Sequence, residues 1–175
     1  TKGGDLVNSV PADVRIETYV RAKTMEAIEA THKKVDTALK AGGDAVGAQT
    51  VIATMPGQLP LACNNRLNEL FVTNAKIAEP NVAVKDAGHF SASTDMGDVS
   101  HLLPVIHPFI GGVDGFLHTA DFHVVDFKHA VLLPAKAFAM MIVDLLADDA
   151  ELARQIKAEH HPLLTKEEYI AKLDK

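Results

Sequence analysis

The sequence predicts a mixed α/β protein in which a small α+β unit, residues 1–57, precedes a layered α/β unit, residues 58–175. Three observations support this class: strand-like alternation early in the chain, helical apolar stripes in both parts, and a break in regularity at Pro56, Gly57 and Pro60. Because proline and glycine interrupt regular backbone pairing, we place the boundary between the units at this break.

In the first unit, apolar and polar residues alternate from Asp13 to Arg21, which is the pattern of a half-buried strand with one solvated face. Thr24 is a suitable N-cap for the next helix, since its hydroxyl can accept a backbone N–H that the first turn leaves free. We expect that helix to end at Gly42-Gly43. Gly47–Thr54 then has the composition of a second strand.

The second unit is predicted to open with a helix that has Asn64 or Asn65 as its N-cap and Pro80 just beyond its end. The residues expected to face inward lie at helical spacing: Leu67, Leu70, Phe71 and Ile77. Three short elements are predicted next: a strand at Val82–Val84, a helix at Gly97–Leu103 and a strand at Pro104–Ile110.

The C-terminal part is predicted to be helical. Asp126 is expected to cap a long helix, in which Pro134 either introduces a kink or belongs to the true first turn. One apolar face of that helix has the i, i+3, i+4, i+7 spacing: Phe138, Met141, Ile142 and Leu145. Residues 148–160 are helical and charged, and Thr165 with Glu168 forms a capping box for a last short helix.

Composition excludes some classes of function. The formal net charge of −6 argues against nucleic acid as a main partner. No apolar run has the length expected of a membrane span, so we expect no membrane contact. The single cysteine, Cys63, rules out an internal disulfide and fits a reducing compartment, which predicts a cytoplasmic location.

The residues best suited to chemistry lie in the loops between 89 and 118, where four of the nine histidines and several glycines are concentrated. His118 follows an apolar segment and a loop containing Gly111 and Gly112, a position from which an imidazole could reach a metal ion. From spacing alone, a loop histidine bonded to nearby backbone is the better interpretation. The chain has no H-x-D, no H-E-x-x-H and no cysteine pair to supply further ligands.

Two motifs carry a resemblance to a known family: Ser93-Thr94-Asp95-Met96-Gly97-Asp98-Val99-Ser100, and Gly115-Phe116-Leu117-His118-Thr119. In this order, with an apolar run and a glycine-rich loop between them, they resemble the C-terminal third of the dinuclear metal-dependent amidohydrolases and peptidases. That family includes aminoacylases, carboxypeptidase G, desuccinylases and the aminobenzoyl-glutamate hydrolases. The last group is the best match, because several peptidase branches have a glutamate four residues after the histidine, whereas this chain has Phe122.

The resemblance implies an architecture and a cofactor. Residues 1–57 correspond to part of a lid or dimerisation domain, and residues 58–175 correspond to the C-terminal part of an α/β/α catalytic domain. His118 matches the last ligand of a site for two divalent ions, zinc or manganese. The other ligands and the general-base glutamate would lie upstream, so the resemblance implies a C-terminal portion of an enzyme that is inactive by itself.

The resemblance also implies substrate-binding residues. Asn8 matches a lid asparagine that reaches an active site, and Arg21 matches a lid arginine that holds a substrate carboxylate; a surface pair with Glu17 is the alternative for Arg21. Thr94 and Asp95 match a polar pair beside the metal cleft, although a helix-capping turn would need the same residues. The backbone N–H groups of Gly111 and Gly112 could approach a substrate, or these glycines could serve the turn alone.

Two functions therefore follow from the sequence. The first is a fragment of a metal-dependent amidohydrolase that cleaves the amide bond of N-acyl amino acids or small peptides and forms a homodimer through the lid. The second is a non-catalytic oligomerisation or interaction module derived from the same fold. The sequence upstream of Thr1 would distinguish them, since only an enzyme needs the H-x-D and the glutamate pair.

Overall fold

The computed structural model describes residues 2–86, 88 and 92–173, so the histidine at position 89 lies outside the described part. The chain divides into two compact units, Thr1–Thr54 and Met55–Lys175. The described residues form a mostly helical α+β structure, and their named strands make one two-stranded antiparallel sheet. The assignment of the two units to a lid and a catalytic domain stays a prediction.

The first unit is built on one helix, α1, which spans Met25–Ala45. Its N-cap is Thr24, as predicted, and the Thr24 hydroxyl accepts the N–H of Ala27 at 3.2 Å. The predicted end at Gly42-Gly43 is two residues too early, because both glycines lie inside the last turn. None of the residues of α1 is fully buried.

The strand predictions outside the sheet are wrong. Four predicted strands have no strand conformation in the structure: Asp13–Arg21, Gly47–Thr54, Val82–Val84 and Pro104–Ile110. In the first of them, the only pairing among the described residues is an isolated bridge between Lys2 and Arg15, with N···O distances of 2.8 and 2.9 Å. Alternation favours a sheet surface, but a strand also needs a hydrogen-bonded neighbour along its length.

The core of the second unit lies between two helices. The first, α2, spans Asn65–Ala78 and begins at the N-cap Asn64, whose side chain accepts the N–H of Leu67 at 3.0 Å. A short helix, α3, spans Asp95–Ser100, and it starts two residues before the predicted helix. The sheet consists of β1, Val113–Asp114, and β2, His123–Val124.

The long C-terminal helix begins irregularly. A π-helical turn at Lys128–Leu132 runs into α4, Leu133–Glu159, and Pro134 lies in the first turn of α4. The backbone of residues 148–150 adopts left-handed conformations within α4, so the charged end is a separate helical segment after a kink. The last helix, α5, spans Lys166–Leu173.

The predicted capping box of α5 is confirmed. The Glu168 carboxylate accepts the Thr165 N–H at 2.7 Å, and the Thr165 hydroxyl accepts the Glu168 N–H at 3.2 Å. Both bonds join neighbouring residues, which is why a local sequence pattern was sufficient to predict them.

The hydrophobic core joins α2 to both segments of α4. Its buried members are Leu67, Phe71, Ala75, Ala137, Met141 and Ile156. The phenyl rings of Phe71 and Phe138 lie with centroids 4.9 Å apart in a tilted arrangement. Asn74, which is only 2% exposed, donates a 2.7 Å hydrogen bond from α2 to the Asp144 carboxylate on α4.

Several residues predicted to face inward do not. Ile77 is 63% exposed near the end of α2, and Ile142 is 56% exposed on α4. The buried face of α4 is instead formed by Leu133, Ala137 and Met141, one helical turn apart. An apolar helix can satisfy more than one face pattern, and only its neighbour decides which face is buried.

The outer face of α4 is also apolar. Its exposed large residues include Phe138, Ile142, Val143 and Leu146. By length and composition alone, Lys128–Glu159 would be able to cross a membrane, with a mean hydropathy of 1.9 and 17% of its apolar window buried. This differs from the expectation that no segment has that length, although helices at the centre of a domain satisfy the same criteria.

Candidate functional site

The Ser-Thr-Asp motif forms the start of α3 and contacts a neighbouring loop segment, residues 58–62. Thr94 is the N-cap of α3, and its hydroxyl accepts the N–H of Met96 at 3.4 Å. The Asp95 carboxylate accepts a hydrogen bond from the Gln58 side chain. The Asp98 carboxylate, one turn later, accepts the backbone N–H of Leu59 at 2.9 Å.

The end of α3 continues the same contacts. The Ser100 hydroxyl accepts the backbone N–H of Ala62 at 3.0 Å and donates to the carbonyl of Gly97 at 2.6 Å. The Nε2 atom of the buried His101 ring donates to the carbonyl of Pro60 at 2.9 Å. Residues 58–62, which belong to no helix or strand, thus have polar groups bonded by side chains of α3 and of its C-cap His101.

Gly97 allows this close approach. A Cβ atom at position 97 would lie 2.0 Å from the carbonyl oxygen of Leu59, a distance that backbone atoms cannot accommodate. The motif therefore has a structural use, the docking of residues 58–62, and the capping alternative for Thr94 is confirmed. The substrate-binding roles of Thr94 and Asp95 stay predictions.

His118 lies in the loop that joins β1 and β2. The two strands pair in antiparallel register, with Val113 opposite Val124. His118 has a φ of 67°, in the left-handed region, and its side chain is exposed. Non-glycine residues in that region are uncommon and are often held there by a tight turn. The Thr119 hydroxyl stabilises this turn by donating to the carbonyl of Phe116 at 2.6 Å.

The surroundings of His118 do not complete a metal site. Throughout residues 2–86, 88 and 92–173, no group of three or more histidine, cysteine, aspartate or glutamate side chains is placed to hold a metal ion. The nearby Asp121 carboxylate accepts a hydrogen bond from Thr119, and its carbonyl accepts one at 2.6 Å from the His123 ring. The donors that the structure describes here therefore do not fit a two-metal centre without further ligands.

The base of the hairpin is fixed to the start of the C-terminal helix. The Gly112 carbonyl accepts the N–H groups of Val125 and Asp126, both at 3.0 Å. Gly112 has a φ of 89°, and a Cβ there would lie 2.6 Å from the Asp126 carbonyl oxygen, so only glycine fits. Gly111 has open space around it. Packing accounts for Gly112, and the proposed contact of either glycine with a substrate stays a prediction.

A cluster of charged residues at the start of the π-helical turn was missed by sequence reasoning. The Asp126 carboxylate accepts the His129 N–H at 3.1 Å and lies 2.6 Å from the His129 Nδ1 atom, so Asp126 caps this helix as predicted and also orients the ring. The pKa of Asp126 is lowered by these two bonds. Lys128 forms an ion pair with Glu79, which lowers the pKa of Glu79 and raises that of Lys128.

The i, i+3 spacing of Asp126 and His129 was visible in the sequence as a helix-start signal. The pair between Lys128 and Glu79 was not, since 49 positions separate residues 79 and 128 in the chain. Only the packing of α2 against α4 brings these four residues into one neighbourhood.

The two predicted lid residues lie in the first unit. Asn8 is exposed in a turn. Arg21 is exposed outside any helix or strand, and its guanidinium carbon lies 5.0 Å from the centroid of the Tyr19 ring, a cation–π contact. Arg21 and Asn8 therefore have side chains accessible to a ligand, and their roles in substrate binding stay predictions.

Two further histidines have a buried ring nitrogen without a hydrogen-bond partner in the described part of the chain. His107 packs edge-on against Phe109 with centroids 5.4 Å apart, and its Nδ1 atom is buried without a hydrogen-bond partner in the described part of the chain. His160 ends α4, and its Nε2 atom is buried in the same way rather than solvated. Cys63 is half-buried.

Comparison with known proteins adds one relative. The chain is 29% identical over 158 residues to the mouse (Mus musculus) Xaa-Arg dipeptidase, a match that covers 86% of this chain and 37% of the dipeptidase. The chain thus spans well under half the length of this relative. No family model matches the chain, and no solved structure matches it.

Proposed function

We propose that this chain is the C-terminal portion of a metal-dependent hydrolase that cleaves amide bonds in small peptides or N-acyl amino acids. The similarity to the Xaa-Arg dipeptidase is the observation that carries the proposal, because it extends over 86% of the chain. It supports a peptidase-related or amidohydrolase-related function in general.

His118 is the residue of this chain that we propose as a metal ligand. It is exposed at the end of a hairpin whose base Gly112 and Asp126 hold in place, so its ring is accessible to groups from outside the described residues. A structural or catalytic zinc site needs at least three protein ligands. The described residues supply one, so the other ligands of the proposed zinc or manganese ions would come from elsewhere in the complete enzyme.

The lid residues of the proposal contribute substrate binding. Arg21 would hold the carboxylate of the substrate, since its planar guanidinium can donate two parallel hydrogen bonds. Asn8 would donate to the oxyanion that forms during amide cleavage. In the complete enzyme, Arg21→Ala should raise KM for carboxylate-bearing substrates more than it lowers kcat, because a remote carboxylate is held about equally in ground and transition states. If Arg21→Ala lost the same activity on substrates with and without the carboxylate, Arg21 would not be a substrate-binding residue.

We further propose a homodimer in the cytoplasm, formed through the first unit. Residues 16–20 form no strand pairing within the described residues, so their backbone is available to an edge-to-edge partner. Sedimentation velocity on the intact protein would test this. A concentration-independent monomer would contradict it.

The decisive experiment uses the reading frame that encodes this chain. If the frame supplies an H-x-D and a glutamate pair upstream, its full product should hydrolyse dipeptides or N-acyl amino acids in a chelator-sensitive way. His118→Ala should then lower both the bound metal and the activity, whereas the matched variant at an exposed histidine, His161→Ala, should change neither. The 175 residues alone should neither bind two metal ions tightly nor hydrolyse amides. Tight binding of two ions or amidase turnover by them would overturn the proposal.

A non-catalytic interaction module is the second candidate. The observation that favours it is the apolar outer face of α4, which includes Phe138, Ile142 and Leu146 and is typical of a helix that packs on both sides. A reading frame without upstream ligand motifs, together with self-association that Ile142→Glu abolishes, would favour this module over the enzyme.

A further inference from the structure

A cleft outside the proposed metal site lies where the end of α2 meets the start of α4. Its volume is about 180 Å³, and its lining is mainly apolar, with Ala78, Leu132 and Leu133 as the hydrophobic wall. Charged and polar side chains complete the lining: Glu79, Lys128, His129 and Lys136. None of the residues proposed for amide hydrolysis contributes to this cleft.

The charges of the cleft are unevenly paired. Lys128 is compensated by its ion pair with Glu79. Lys136 is exposed, and no described carboxylate lies within ion-pair distance of it, although its charge is close enough to lower the pKa of Glu79. Asp126 engages the His129 Nδ1 atom at 2.6 Å, which leaves Nε2 as the ring nitrogen available to a ligand. The cleft thus combines an apolar wall, an uncompensated ammonium group and an oriented imidazole.

We propose that this cleft binds a small organic carboxylate with an aliphatic body, with the carboxylate on Lys136 and the aliphatic part against Leu132 and Leu133. Charge complementarity selects an anion rather than a cation, because Glu79 is already paired with Lys128. The apolar wall selects an aliphatic body over a bare inorganic anion, since burial of hydrocarbon contributes to affinity in proportion to its area. An open cleft of this size limits the affinity to a Kd on the order of 1 mM.

The test is a titration of the full 175-residue chain with 4-methylpentanoate, followed by NMR chemical shifts. The signals of Leu132, His129 and Lys136 should move together. The uncharged analogue 4-methylpentanamide should bind about threefold to fivefold more weakly, as expected for loss of one exposed ion pair, and acetate should bind more weakly still because it lacks the aliphatic body.

Variants locate the effect. Lys136→Gln should weaken 4-methylpentanoate binding about threefold to fivefold, the factor expected for the amide analogue. Lys136→Arg should retain the binding. The control Lys157→Gln changes an exposed lysine in the last turn of the same helix and should leave binding unchanged. Equal binding of acid and amide, shifts that map outside the cleft, or equal effects of the variants at 136 and 157 would overturn the proposal. A loss of bound metal or of hydrolytic activity in His118→Ala would leave this proposal unaffected, because His118 does not line the cleft.

Discussion

The two units use the same helix-capping chemistry but differ in what their helices bury. Thr24 caps α1 and Asn64 caps α2, each by accepting a backbone N–H three residues later. None of the residues of α1 is fully buried, whereas α2 buries Leu67, Phe71 and Ala75. Every fully buried hydrophobic side chain in the described part of the chain lies between residues 59 and 156.

This difference shows that helix formation and core formation are separate properties of a sequence. A cap and helical spacing suffice for α1 as secondary structure, since both act within a few residues. Burial requires a second apolar surface, and α2 finds it on α4. Helical stability in proteins comes mainly from such packing, so we expect the second unit to carry most of the resistance to denaturation.

The largest expected effect contrasts a glycine in each unit. Gly97→Ala should lower the free energy of unfolding of the second unit by about 2–3 kcal/mol, because its Cβ would collide with the Leu59 carbonyl and displace residues 58–62. Gly42→Ala is the control: it lies within α1 with open space around it, and should raise helix stability by about 0.5–1 kcal/mol. Urea denaturation followed by circular dichroism measures both. If Gly97→Ala left the free energy of unfolding unchanged, the contact with residues 58–62 would not be formed in solution.

The next effect concerns the polar contact between α2 and α4. Asn74→Ala should lower the free energy of unfolding by about 1–3 kcal/mol, because it removes a nearly buried donor to a charged acceptor, Asp144. Asn65→Ala, at an exposed position on the same helix, should stay within about 0.5 kcal/mol of the parent. Equal midpoints for the two variants in urea would mean that the Asn74 contact contributes nothing.

Removal of the helix caps should affect the two units differently. Asn64→Ala should cost about 1 kcal/mol and shift the main unfolding transition, because α2 is part of the core. Thr24→Ala should cost α1 a similar amount, but the loss should appear as lower helicity and faster amide exchange in residues 25–30, with the main transition unchanged. A shift of the main transition by Thr24→Ala would show that α1 unfolds together with the second unit.

The smallest expected effect is a dependence on acid pH. The pKa of Asp126 lies below its usual 3.8 because of its bonds to His129, and that of Glu79 lies below its usual 4.5 because of Lys128. A lowered folded-state pKa means that the stabilisation is complete above the usual value and is lost as the pH falls through the lowered one. Both carboxylates are half-buried, and their partners Lys128 and His129 keep contact with solvent, so the loss should be small.

Urea midpoints of the parent and of Asp126→Asn measure this contribution. The two proteins should differ more at about pH 6 than at about pH 2, because the contribution of the Asp126 carboxylate declines as the pH falls below its usual pKa and towards the lowered one. A difference that is the same at both pH values would show that the ion pair with His129 does not stabilise the fold.

The candidate site was only partly predictable from the sequence. Glycine-rich composition and the family resemblance drew attention to His118 and to the Ser-Thr-Asp motif. The composition gave no sign that Asp98 and Ser100 would bind the backbone of Leu59 and Ala62, because those partners lie 39 and 38 positions away. Contacts between distant segments leave no local periodicity in a sequence.

Local chemistry explains why the starts of the helices were predicted well. The Thr24, Asn64, Thr94 and Thr165 caps each bond a backbone N–H two or three residues away, so the sequence by itself determined them. The apolar character of α4 and the break near Pro56 were equally visible. These properties depend on neighbours in the chain and need no knowledge of the fold.

Which segments pair, which helix face is buried and which distant charges meet depend on the tertiary structure. The alternating segment Asp13–Arg21 forms no strand because no described neighbour pairs along it, and the buried face of α4 is the one that α2 covers. Glu79 and Lys128 meet only because those two helices pack together. A strand, a core face and an ion pair each require a partner, and the position of a distant partner is a property of the folded chain rather than of any local pattern.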